Sequence, residues 1–165
     1  MSASAFHIRD AELPRDRPAI LGFILGLQRF EHGVEPNRRL DDAVAEDYLQ
    51  PLLRNLAEKD GRILIAEDAQ AAPIGWAVVH EDEDDIYVIA SERRFAYIAE
   101  LFVVEAARGT GVGRALIAAC EDWARARHVG ILHIGVLPGN ARARAVYERA
   151  GYAPYSLRLR KRIAS

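Results

Sequence analysis

Residues 100–116 read ELFVVEAARGTGVGRAL, from Glu100 to Leu116. The apolar run of this stretch leads into Arg108-Gly109-Thr110-Gly111-Val112-Gly113. Apolar residues then recur at helical spacing: Leu116, Ile117, Cys120, Trp123 and Ala124. The reading is strand, glycine turn, helix, with the helix running from about Gly111 to Arg127. Glycines at alternating positions allow positive φ and let the backbone approach a ligand with no Cβ in the way. The first N–H groups of a helix lack intrahelical partners, so such a turn can cradle a phosphate. Arg108 and Arg114 flank it with cations suited to phosphate oxygens. The alternative is a turn that merely joins a strand to a helix. Two other phosphate loops are excluded. A P-loop needs Lys-Ser/Thr after its last glycine, and a dinucleotide fingerprint needs its glycines at the first strand of a βαβ unit.

Outward from the turn, Phe95–Val104 is apolar and long enough for a central strand. Ile63–Glu67 and Ile74–His80 flank the polar and small DAQAAP and read as a β-hairpin, which Ile86–Ala90 would extend. Upstream, Ala19, Ile20, Phe23, Ile24, Leu27 and Phe30 follow Pro14 and Pro18 and predict an amphipathic helix ending near Gly33. Leu40–Lys59 repeats the pattern, with Val44, Tyr48, Leu52, Leu53 and Leu56 on one face. Pro51 inside it predicts a kink or two shorter helices. Ala5–Arg9 reads as an opening strand. Downstream, Ile131–Leu137 reads as a strand buried on both faces. Asn140–Ala150 reads as a helix with Asn140 as its N-cap and Gly151 after its end. Tyr155–Ile163 alternates apolar and polar residues, the pattern of a half-buried strand. The order predicts a mixed α/β sheet.

The chain has 165 residues, half of them hydrophobic and 28% charged, with no repeat and no linker composition. One domain spanning residues 1–165 is expected. A single cysteine, Cys120, cannot form an internal disulfide, which suits a reducing, cytoplasmic setting. The N-terminal MSASAFHIRD lacks the layout of a signal peptide. No apolar stretch approaches the ~18 residues of a membrane span, so no membrane partner is expected. A net charge of −2 disfavours a basic nucleic-acid binder. The charges are segregated, with an acidic run at Glu81–Asp85 and a basic C-terminal third.

A second motif is NARARAVYERAGY, Asn140–Tyr152. Asn140 and Tyr147 lie two helical turns apart on nearly the same side, so a cap amide and a phenol can meet one ligand. Taken alone, the asparagine is equally a plain helix cap and the tyrosine a core residue.

Arg-Gly-x-Gly-x-Gly at Arg108–Gly113, the strand before it, and Asn140, Ala143, Tyr147, Gly151 and Tyr152 together resemble the GNAT superfamily of acyl-CoA-dependent N-acyltransferases. The specific part of the resemblance covers residues 95–155. It implies a mostly antiparallel central sheet flanked by helices, with a bulged central strand splaying open to form a coenzyme A cleft. It implies acetyl-CoA as co-substrate and no metal. Gly109, Thr110, Gly111, Val112, Gly113, Arg108 and Arg114 would hold the pyrophosphate. The backbone of Leu101, Phe102 and Val103 would pair with the pantetheine arm and polarise the thioester carbonyl. Asn140 would contact the cofactor from the far side of the cleft.

The implied reaction moves an acetyl group from acetyl-CoA to a primary amine of a small molecule or peptide. An alkyl amine arrives protonated, with a pKa near ~10.4, so a base must take a proton, directly or through water. Glu100 is the candidate base, the other reading being a solvated or ion-paired strand residue. Tyr147 matches the position of the acid that protonates the departing thiolate. The alternative function is a non-catalytic acyl-CoA-binding or sensory module with the same fold. A cationic acceptor drawn by Glu81–Asp85 stands against a solvated hairpin tip. Phe95, Tyr97, Tyr87 and Trp76 are candidate acceptor-pocket residues or plain core. The five histidines show no metal-ligand spacing, and Cys120 reads as a packed residue. A homodimer through the C-terminal strand is a further reading.

Overall fold

In the computed structural model, which describes residues 6–163, five strands form one sheet in the order β1-β2-β3-β4-β5. The strands are β1 Phe6–Asp10, β2 Arg62–Asp68, β3 Pro73–Glu83, β4 Arg94–Val103 and β5 Leu132–Ile134. All neighbours pair antiparallel except β4 and β5, which are parallel. The helices are α1 Leu13–Val34, α2 Ala43–Glu58, α3 Ala90–Arg93, α4 Val112–Ala126 and α5 Ala141–Arg149. Ala5, expected in the opening strand, lies outside the described residues.

The period of two in the central strands sends alternate side chains to opposite faces, and helices cover both. Ile63, Ile65, Trp76 and Val78 pack with Ile20, Phe23 and Ile24 of α1 and Leu49, Leu52 and Leu56 of α2. Leu64, Ala66, Ala77, Val79, Ala96 and Ile98 pack against Val112, Leu116, Cys120 and Trp123 of α4. Strands buried on both sides explain the unbroken apolar runs at Ile63–Ala66 and Trp76–Val79.

Four expectations are corrected. α2 runs through Pro51 as one helix, which overturns the alternative of two shorter helices. Its buried residues lie on both sides of the proline, and their burial outweighs the ~3 kcal/mol that an interior proline costs. Ile86–Ala90 does not extend the hairpin: Ile86 is 82% exposed, and β3 itself runs through the acidic residues to Glu83. β5 comprises three half-buried residues, whereas a doubly buried strand over Ile131–Leu137 was expected. Tyr155–Ile163 forms no strand, and Leu159 is 83% exposed. Alternation marks which face would be buried. It supplies no partner edge to satisfy the backbone. The strand on which a C-terminal dimer contact rested is therefore absent.

The β3–β4 register shifts by one residue. Val78 faces Glu100 and Val79 faces Ile98, so Ala99 is the extra residue of a β-bulge on β4. Pairing with β5 covers only Ala96, Tyr97 and Ile98. From the bulge onward the β5-side edge of β4 has no strand partner, and a cleft opens there.

Candidate active site

The cleft holds about 460 Å³. One wall is β4 from Ile98 to Val103, the other is Ile134, the last residue of the short β5, with Gly135–Leu137 after it. α1 closes one side with Phe30 and Glu31, and α5 closes another with Asn140 and Tyr147. The structure thus brings Glu100, Leu101, Phe102, Val103, Arg108, Gly109, Gly111, Gly113, Arg114, Asn140 and Tyr147 into one cavity. Gly26 of α1 makes room for this wall, since a Cβ there would lie 2.6 Å from the Phe102 ring.

The glycine turn has the conformation its composition predicts. Gly109 and Gly111 have φ of 83° and 96°, in the left-handed region that a side chain resists. A Cβ on either would meet nothing within 4 Å, so the backbone faces open space. Gly111 caps α4, whose first N–H groups have no helical partner. Thr110 and Val112 do not line the cleft. The Thr110 hydroxyl donates to the Ala107 carbonyl at 2.7 Å, and the Val112 side chain is buried in the α4 core. Val112 can contribute its backbone alone.

Arg108 is braced. Its Nε donates to the Val103 carbonyl at 3.0 Å, and its guanidinium lies 5.5 Å from both the Phe30 and Phe102 ring centres. It ties the end of β4 to the turn and to α1. Arg114 also lines the cleft, as do Arg142 and Arg149 of α5, two cations that sequence reading left unassigned. Arg142 and Arg149 are seven residues apart, the spacing that places Asn140 beside Tyr147, and that was the signal available. None of Arg114, Arg142 and Arg149 has an ion-pair partner within 4.0 Å among the described residues. Open backbone N–H groups and unpaired guanidiniums fit the phosphates of coenzyme A.

Asn140 is both cap and wall: its Oδ1 accepts from the Ala143 N–H at 3.1 Å while the residue lines the cleft. The other end of α5 closes in a Schellman motif, with Gly151 at φ 94° and the Tyr152 N–H bonded to the Tyr147 carbonyl at 3.0 Å. These two ends hold Tyr147 at the cleft. Burial pushes its phenol up to about 12, with the nearby Glu31 charge adding to the effect, so it stays protonated over the ordinary pH range.

Burial also raises the Glu100 carboxyl, to about 7. A hydrogen bond from the Tyr48 hydroxyl opposes the rise and the like charge of Glu31 adds to it. A carboxylate that titrates near neutral pH in a cleft can take a proton and release it again. Glu31 and Tyr48 were not singled out as site residues. They lie on helices far from Glu100 in sequence, and no local spacing links them.

The other candidates do not line the cleft, although the Tyr97 hydroxyl reaches its wall, 3.0 Å from where a Cβ on Gly135 would lie. Glu81 pairs with Arg94, Lys59 Nζ lies 2.5 Å from Asp82, and Arg93 lies 3.9 Å from Glu83. None of Glu81–Asp85 lines the cavity. Trp76 is buried against Phe23, Phe95 packs on His133, Tyr97 meets His80 edge-on, and Tyr87 is exposed. Cys120 is a core residue whose thiol burial pushes up to about 12. No group of three or more metal-ligating side chains occurs among the described residues, and no helix there is long and apolar enough to cross a membrane.

Comparison with known proteins bears on the whole arrangement. An aminoglycoside N(6')-acetyltransferase of Stenotrophomonas maltophilia is 34% identical over 49% of this chain and 52% of its own length. An uncharacterized N-acetyltransferase of Bacillus subtilis is 32% identical over 66% of this chain and 67% of its own. The chain thus spans about half the length of the first of these relatives. Among solved structures, an acetyl transferase candidate of Pyrococcus furiosus superposes with a TM-score of 0.74 at 23% identity, covering 96% of this chain and 99% of that one. A predicted acetyltransferase of Clostridium acetobutylicum, solved with acetyl-CoA, gives 0.69 at 20% identity over 95% and 96%. These two share the fold, including its helix-flanked, mostly antiparallel sheet. Residues 20–152 match the Acetyltransferase (GNAT) family, a span that takes in the bulged strand, the glycine turn and the Asn140–Tyr152 helix, and the chain belongs to that family.

Proposed function

We propose that this chain moves an acetyl group from acetyl-CoA to a primary amine, with Glu100 as general base and Tyr147 as general acid. The carrying observation is a single cleft that joins an arginine-flanked glycine turn to the half-buried Glu100 carboxyl, which desolvation pushes up to about 7. Acetyl-CoA, held by the backbone of Gly109–Gly113 with Arg114, Arg142 and Arg149, supplies an activated thioester. The free edge of β4 at Leu101–Val103 offers backbone groups to an extended ligand. A backbone N–H there would stabilise negative charge developing on the acyl oxygen.

Glu100 takes the first of the two protons that the ammonium must lose, directly or through one water. Tyr147, protonated below about 12, gives a proton to the departing sulfur. The second proton leaves the nitrogen through solvent and restores the phenol, and Glu100 releases its proton to solvent. Holding amine and thioester together in one cleft contributes much of the remaining rate. The Stenotrophomonas relative is named for acetylating an amine of an aminoglycoside, which supports a small cationic acceptor here. A base and an acid in the same cavity favour an enzyme over a non-catalytic acyl-CoA-binding module.

The test is a panel of diamines, aminoglycosides, amino sugars and lysine peptides, each with acetyl-CoA, reading release of the coenzyme A thiol. Turnover with at least one amine is expected, together with a rise in Tm on adding acetyl-CoA. No thermal shift at saturating acetyl-CoA would overturn the reading at its base.

A further inference from the structure

Glu100 is held from behind. The Tyr48 hydroxyl of α2 donates a hydrogen bond to Glu100 Oε1, across 52 residues of sequence, and Tyr48 does not itself line the cleft. Tyr48 packs against the core cluster that contains its neighbours Leu49 and Leu52, so the packing that anchors α2 to the sheet also fixes this phenol. The second oxygen, Oε2, accepts no hydrogen bond among the described residues, and Glu100 lines the cavity. One oxygen is tied and the other is left for a ligand or water.

The groups around Glu100 make this donor singular. From α1 comes Glu31, a like charge whose Oε2 accepts from Arg38 Nε at 2.6 Å. Tyr147 of α5 lines the same cleft and is neutral, and Tyr97 stands on β4 itself. Across on β3 the facing residue is Val78, which is apolar. Arg114, Arg142 and Arg149 share the cavity, yet none forms an ion pair with Glu100 within 4.0 Å. Tyr48 is thus the one protein side chain, among the described residues, that donates to this carboxylate.

We propose that Tyr48 is a positioning residue for acetyl transfer: it fixes the rotamer of Glu100 and stabilises its charged form, so that the free oxygen meets the acceptor amine as a base. This rests on Glu100 being the base. A hydrogen bond to the ionised form of an acid favours that form. With phenylalanine at 48 the carboxylate keeps its burial and its like-charged neighbour and loses the opposing donor. Its protonation then moves to higher pH, and less of it is competent at neutral pH.

The experiment compares wild type, Tyr48→Phe and Glu100→Gln in two readouts. One is the pH profile of kcat/KM with acetyl-CoA and an amine that turns over in the panel. The other is the 13C carboxyl titration of Glu100 by NMR in the ligand-free protein. In Tyr48→Phe both the acid limb and the NMR titration should move up by about one unit. KM for acetyl-CoA should stay unchanged. A limb lost in Glu100→Gln but unmoved in Tyr48→Phe overturns the role of Tyr48 alone. A limb that survives Glu100→Gln overturns Glu100 as the base. Should Tyr48→Phe fail to fold, the Tyr48 ring 13Cζ shift in wild type decides. It should follow the Glu100 titration, and a flat shift through that range overturns the contact.

Discussion

Two carboxylate clusters lie against different parts of the sheet and come out opposite in character. At the β1–β2 edge, Asp16 is 1% exposed and accepts a two-pronged hydrogen bond from Arg9, at 2.6 and 2.7 Å. Arg9 also reaches Glu67, which takes a further bond from Arg15 at 2.7 Å. Arg9 holds both carboxyls below the usual carboxylate range, against the effect of burial. On β4, Glu100 has a phenol in place of a guanidinium, with Glu31 nearby, and burial sets the outcome at about 7. A buried acid with a cation is a strut. One without a cation is pushed up toward neutral pH, where a proton carrier must titrate. The clusters differ in access as well, since Asp16 and Glu67 are closed off while Glu100 is half-buried and lines the cleft, and only the first holds a cation.

The comparison can be broken at either end. The largest effect is expected from Glu100→Gln, which should lower kcat/KM by about 10²–10⁴-fold with the fold intact. Thiol release with a turned-over amine measures it, and full activity in this variant would dissolve the distinction. Tyr147→Phe should lower kcat by about a hundredfold with little change in the affinity for acetyl-CoA. Titration calorimetry beside steady-state kinetics separates the two quantities.

At the other cluster, Arg9→Met leaves Asp16 and Glu67 without their shared cation. A Tm lower by about 10 °C is expected, with activity per folded molecule retained. Scanning calorimetry and an activity assay on the same sample check both halves.

The smallest effect is also the one that most sharpens the contrast, because the signs oppose. Asp16, lowered in the fold, adds stability above its unfolded value of ~3.9, and that stability is lost as pH falls through the folded pKa. Glu100, raised in the fold to about 7, favours the folded state most at low pH. That advantage drains away as pH rises from ~4.3 to about 7. Between pH 5 and pH 8, therefore, Glu100→Gln should gain Tm relative to wild type, by about 5 °C.

Much of the site was legible because its parts are local. The glycine turn announces its conformation through residues that tolerate positive φ, and Gly109 and Gly111 adopt it. Asn140 and Gly151 cap α5 as their types predict, and those caps aim Tyr147. The resemblance supplied the expectation of a bulged strand and cleft, and Ala99 is where the bulge occurs. Tyr48 and Glu31 escaped because their relation to Glu100 passes through the packing of α1 and α2 on the sheet. The Glu81–Asp85 run was read by charge alone, and its partners Lys59, Arg93 and Arg94 had no signal in that reading. Tyr155–Ile163 misled because a period of two reports a face and says nothing about a neighbouring edge.

What this sequence determined by itself is what depends on neighbours along the chain: backbone conformation at the turn, helix ends, and which faces are apolar. Tertiary structure alone decided what depends on neighbours across space. It ended β5 after three residues and so opened the cleft, and it withheld a cation from Glu100 while supplying one to Asp16. Short-range backbone sterics act within a few residues. Desolvation and charge pairing act between groups that only folding brings together.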